Sequence, residues 1–226
     1  MQFRTPLVFP LVTIAVLVVT GLAIQPADAV TLGQIDDFED GSTQLWSEGG
    51  RSPKPPTNVA SGGPGGADDN YLADTSTGTG TAGSKMVMSN TGRWSGDYIS
   101  EGIRGIKMAM SNFGDTALQM RIALEGPSGT RYGSTIAFAL PADGAWRPVV
   151  FGLTEDDLTN LGGVATPNEV LANVGTIRIL AASAGPAWKG DSVAASIGID
   201  DIEAISFSVD AKSVSLSALK TSFSQQ

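Results

Sequence analysis

The chain contains no cysteine and no histidine. Without cysteine there is neither a disulfide framework nor thiol chemistry. Without histidine the Ser-His-Asp and Cys-His nucleophile systems are excluded, as is every His-ligated transition-metal site. Carboxylate chemistry stays open, and so does the binding of hard cations through oxygen. Basic residues are the minority, 14 Lys and Arg against 23 Asp and Glu, for a formal net charge of −9. An isoelectric point near 4.4 argues against nucleic acid and anionic membrane surfaces as partners. Aromatic residues make up only 7%, a thin supply for a core and a binding surface together.

Long apolar runs are scarce too. One occupies residues 7–24, behind Arg4 and ahead of Gln25-Pro26-Ala27-Asp28-Ala29. A basic start, an apolar stretch and an Ala-x-Ala site form the pattern of a secretory signal peptide. The expectation is a leader over residues 1–29, cleaved after Ala29, and a secreted product, extracellular or periplasmic. The alternative is an uncleaved membrane anchor; the small residues Ala27 and Ala29 favour cleavage. No later segment is apolar enough to insert in a membrane.

What the chain has in quantity is turn chemistry, with 28 Gly and 12 Pro, and short alternating strands between the turns. Ile106, Met108 and Met110 alternate with Lys107, Ala109 and Ser111. Leu118, Met120, Ile122 and Leu124 alternate with Gln119, Arg121, Ala123 and Glu125. Period-two patterning of this kind belongs to antiparallel sheets with one buried face, and the methionines read as core filling. Further strands are expected over residues 85–89, 132–140, 146–153, 176–182 and 196–205. Thr154, with Asp157 three residues on, predicts a capped short helix, and residues 168–171 a second. The fold class is therefore all-β, an antiparallel β-sandwich with one or two short helices. One domain spans residues 30–207, and residues 208–226 form a serine-rich flexible tail.

Two acidic stretches bracket that domain: Ile-Asp-Asp-Phe-Glu-Asp-Gly at residues 35–41 and Ile-Asp-Asp-Ile-Glu at residues 199–203. The expectation is that they pair as first and last strands. Alternation puts Asp36 and Phe38 on one side, Asp37 and Glu39 on the other. Side by side, these strands would repel unless something neutralises them, and calcium accepts many oxygen ligands without strict geometry. Solvent exposure of the acids is the plain alternative.

These stretches, together with Trp46, Tyr71-Leu72 and Trp94-x-Gly96-x-Tyr98, resemble the galactose-binding-like jelly rolls of bacterial carbohydrate-binding modules. The middle of the chain also resembles laminin B (domain IV) extracellular modules. The resemblance implies a jelly-roll sandwich and a structural calcium ion held by Glu39 and Asp201. Asp37, Asp200 and the Gly41 carbonyl are further candidate ligands. It implies sugar stacking on aromatic faces, for which Trp94, Tyr98, Tyr132 and Trp188 are candidates, with Asp97 nearby. Trp188 lies in the loop-like run Gly185-Pro186-Ala187-Trp188-Lys189-Gly190. The implied function is a secreted, non-catalytic module for carbohydrate or an extracellular matrix component. The competing reading is a structural or adhesive protein that binds other proteins. A third, a glycoside hydrolase or lyase, would rest on the pairs Asp68-Asp69 or Asp156-Asp157. Neighbours in sequence do not face each other on a strand or helix, so these are poor acid/base pairs.

Overall fold

The computed structural model describes Met1, residues 29–50 and residues 52–207. The expected signal peptide, apart from its two ends, and the expected tail lie outside the described residues. Among the described residues, twelve strands form two antiparallel six-stranded sheets, the expected β-sandwich.

The first sheet contains β1 (Ile35–Asp36), β2 (Thr57–Val59), β3 (Tyr71–Thr77), β5 (Gly105–Asn112), β9 (Arg147–Gly152) and β12 (Ala194–Ile205). Their order is β2-β3-β12-β5-β9, and β1 also pairs with β12. The second contains β4 (Val87–Asn90), β6 (Leu118–Glu125), β7 (Arg131–Ser134), β8 (Phe138–Leu140), β10 (Leu158–Gly162) and β11 (Thr176–Ala181). Its order is β10-β7-β6-β11-β4, with β8 on β6. The strand expected over residues 132–140 is thus two strands, broken after Ser134.

The core lies between the sheets. Ile106, Met108 and Met110 of β5 face Met120, Ile122 and Leu124 of β6, all at most 1% exposed. The acidic first and last strands do pair, Ile35 opposite Glu203 and Asp36 opposite Ile202. β12 solves a parity problem on the way. Ile197 and Ile199 point inward, so strict alternation would next send Asp201 and Glu203 into the core. A register shift between Asp200 and Glu203, with Asp201 in the left-handed region at φ 51°, resets the phase. Ile202 and Ala204 are then fully buried, as a β-bulge allows.

The expected helix at Thr154 is a single 3-10 turn, Glu155–Asp157, with the predicted capping box between Thr154 and Asp157. The second helix, α1 (Pro167–Leu171), is capped likewise by Thr166 and Glu169.

Candidate functional site

Asp36 is fully buried. Its Oδ2 accepts hydrogen bonds from the indole N–H of Trp46 (2.8 Å) and of Trp94 (2.7 Å), and Oδ1 accepts from Arg93 (3.0 Å). Burial raises the Asp36 pKa, and the two indoles and Arg93 oppose the rise. This arrangement corrects part of the sugar-binding set. Trp94 and Tyr98 are fully buried, so neither can offer a ring face to a ligand. Tyr98 instead donates to the Trp94 carbonyl. Asp97 is engaged locally, accepting from the Ser100 N–H and hydroxyl, which lower its pKa. Tyr132 is only 6% exposed and faces the core; its hydroxyl donates to the Ala165 carbonyl and accepts from Asn160.

The acidic residues gather where β1 meets β12. Asp200 is 1% exposed. Burial, reinforced by Asp201, Asp69 and Glu39, pushes its pKa up to about 7. Asp201 is raised as well, by burial and then by Asp69, Asp37 and Glu203, against Lys107. Asp37 accepts from the Glu39 N–H and Gln44, and Glu39 from the Asn70 N–H. Gly41 sits in the following turn, its N–H on the Phe38 carbonyl. The donors are all oxygen, the chemistry calcium takes. Among the described residues, however, no group of three or more His, Cys, Asp or Glu side chains is placed to hold a metal ion.

Trp188 remains from the aromatic set, and its setting differs from a free loop. Residues 183–190 lie across the outer face of the second sheet, where Pro186 and Ala187 approach Gly133 so closely that a Cβ there would touch them. Trp188 packs with Ala187 and Leu161 over the buried Ala123, Leu180 and Ala182. The guanidinium carbons of Arg178 and Arg131 stand 3.9 and 4.6 Å from its ring centroid, a cation–π arrangement. Arg178 also donates to the Trp188 carbonyl at 2.9 Å, and Arg131 pairs with Glu125.

Beside this strap opens a cleft of about 390 Å³, lined by Glu48, Lys85, Ser89, Arg178, Lys189 and the segment 80–84. Its floor is the outer side of β4 and β11, where Arg178 stands opposite Ser89. The Arg178 Nε and both Glu48 carboxylate oxygens are buried and without a hydrogen-bond partner among the described residues. Behind Glu48 lies Asp74, 1% exposed on the inner side of β3. Burial, and then the adjacent Glu48 carboxyl, push Asp74 up to about 8.

Sequence reasoning missed Glu48, Lys85, Arg178 and Lys189. The one signal for Arg178 was its outward position in an alternating strand. It also missed a trio on the outer face of the first sheet, Tyr71, Phe113 and Trp146, with ring centroids 5.3 to 6.0 Å apart. The trio sits over Gly198 of β12, and the Trp146 N–H donates to the Gly62 carbonyl.

No protein-family model and no curated protein sequence matches the chain. Among solved structures, an exo-β-agarase superposes with a TM-score of 0.54 at 13% identity, over 76% of this chain and 25% of the agarase. The chain thus spans about a quarter of that enzyme's length. A family 11 carbohydrate-binding module from a Clostridium thermocellum cellulosomal cellulase has a TM-score of 0.47 at 12% identity, covering 78% of this chain and 96% of the module. A putative glycoside hydrolase from Bacteroides thetaiotaomicron gives 0.42 at 14%, over 79% and 72%. At these identities the agarase likeness speaks for the fold alone.

Proposed function

We propose that this chain is a secreted, non-catalytic carbohydrate-binding module that takes its ligand in the cleft beside Trp188. The observation that carries this reading is the cleft's composition. Arg178, Lys85, Lys189 and Glu48 line one opening together with Thr81, Ser84 and Ser89. Sugars need closely set donors and acceptors beside apolar surface, and Val87 and Ala82 supply apolar lining here. The leader-like residues 1–29 support export.

The carboxylates give little support to catalysis. Asp157 caps Thr154 and Asp69 accepts the Gly65 N–H, so neither expected pair faces a common space. Glu48 and Asp74 touch each other, whereas glycosidase carboxyls stand about 5–9.5 Å apart across the sugar. We further propose that calcium neutralises the acids around Asp200 and Asp201, with Glu39, Asp37 and the Gly41 carbonyl as the other donors. Asp201, Asp69 and Glu39 crowd the buried Asp200, and a bound cation would have to draw their oxygens together, since as they stand they are not grouped around a metal position. When bound, it would supply charge compensation and hold the β1–β12 seam, not chemistry.

The test is a glycan array probed with the purified protein in calcium and in chelator, with a thermal melt in each. Binding to a defined glycan class and a higher melting temperature in calcium are expected. Absence of binding to every glycan under both conditions would sink the module reading. An unchanged melt would sink the calcium proposal alone.

A further inference from the structure

Four ion pairs are present among the described residues, and they engage Arg93, Lys107, Arg131 and Arg147. Lys85, Arg178 and Lys189 belong to none of them, yet all three line the one cleft. Their hydrogen bonds are to backbone carbonyls or absent: Lys85 to Gly190 at 3.0 Å and Arg178 to Trp188 at 2.9 Å. Lys189 is exposed and has no hydrogen bond among the described residues. Among the residues that line the cleft, Glu48 is the one carboxylate. In a chain of net charge −9, three cations concentrated around one carboxylate invert the local field.

Each group has a geometric reason to be there. Arg178 is held against Trp188 by stacking and by its Nη1 bond to the Trp188 carbonyl, which leaves Nε without a partner. Burial and Arg131 hold its pKa below the ordinary guanidinium value, with Glu125 offsetting, and it stays charged. Lys85 bridges to Ser192 and its ammonium donates to the Gly190 carbonyl, which brings it to the same segment as Lys189. A fork-shaped cation flanked by two ammonium groups suits carboxylate and sulfate oxygens, and a neutral sugar has no use for so many unpaired charges.

We infer that the cleft is built for an acidic glycan, one bearing carboxylate or sulfate groups, with Lys85, Arg178 and Lys189 receiving the anion. This rests on the glycan-binding reading above and narrows it to a substrate class. The experiment is calorimetric titration of the full protein with polygalacturonate, a sulfated galactan and a neutral galactan of matched length, at low and at physiological salt. Lys189→Glu and the double variant Lys85→Gln/Lys189→Gln are titrated beside it, both changes lying on exposed side chains.

Expected is binding to one or both acidic polymers that weakens with salt. Charge reversal at position 189 should lower the affinity about ten-fold, the Coulomb effect expected within a few ångströms in a partly solvated cleft. Which acidic polymer binds distinguishes carboxylate from sulfate. Equal binding of the neutral galactan, insensitive to salt and to both variants, overturns the acidic-glycan inference and leaves the module reading standing. Binding of none of the three, with none on the glycan array, overturns both.

Discussion

Replacing Asp36 by alanine tests how the sandwich is held at its β1 seam. The buried carboxylate accepts from two indoles at 2.8 and 2.7 Å and from Arg93 at 3.0 Å. Hydrogen bonds to a charged partner contribute about 1.5–3 kcal/mol each, and an orphaned buried donor costs about 1–3 kcal/mol. Against this stands the relief of desolvating Asp36, whose pKa is raised chiefly by burial. Loss of one partner from a buried charged network typically costs about 3–5 kcal/mol, which for a domain of this size lowers the melting temperature by roughly 10 °C. Asp36→Asn should fall between. Its oxygen can still serve both indoles, but its amide then opposes the Arg93 donor. The assay is a thermal melt by circular dichroism, with Trp94→Phe and the Asp36→Ala/Trp94→Phe pair completing a double-mutant cycle. An Asp36→Ala melt within about 2 °C of the parent, or strictly additive losses in the cycle, would refute the reasoning.

Two further outcomes follow from the buried acids and the packing of the first sheet. Asp74 carries a pKa raised from 3.8 to about 8, so the folded state binds more protons than the unfolded chain between those values. Its stabilising contribution is full below about pH 4 and is lost as pH rises to about 8, a loss on the order of 5 kcal/mol. Asp200, raised to about 7, acts with the same sign. Urea midpoints should therefore fall from pH 4.5 to 8.5 and flatten in Asp74→Asn; a parental slope retained in that variant would contradict the assignment. Gly198→Ala would place a Cβ 2.7 Å from Trp146 and 2.9 Å from Phe113, forcing the aromatic trio to lift. A loss of about 1–3 kcal/mol and a changed near-ultraviolet dichroism spectrum are expected, and an unchanged spectrum would mean that the trio does not rest on Gly198.

Much of the architecture was legible in the sequence because strand patterning is local. Ile106-Met108-Met110 and Leu118 through Leu124 announce their buried faces by a period of two, and the backbone obeys. Thr154 with Asp157 reads as a capping box because donor and acceptor are three residues apart. The acidic stretches at residues 35–41 and 199–203 were matched as partners across the chain, and they pair. Even the inward turn of Asp36 followed from its phase with Phe38. What alternation could not show was that an inward aspartate needs partners, and that Trp94 is one of them. With its N–H committed to Asp36, Trp94 is a core residue, and Tyr98 follows it inside.

Tertiary structure alone decided where a ligand could sit. The cleft joins Glu48, the turn at residues 80–84, Arg178 and Lys189, and no sequence spacing relates these segments. Trp188 looked free because its neighbours are Gly, Pro and Lys. It is laid on the sheet because Ala123, Leu180 and Ala182 form an apolar patch beneath it and Arg178 and Arg131 stack on its ring. Local periodicity determines which face of a strand is buried; the meeting of loops from distant strands determines what stands on the other face.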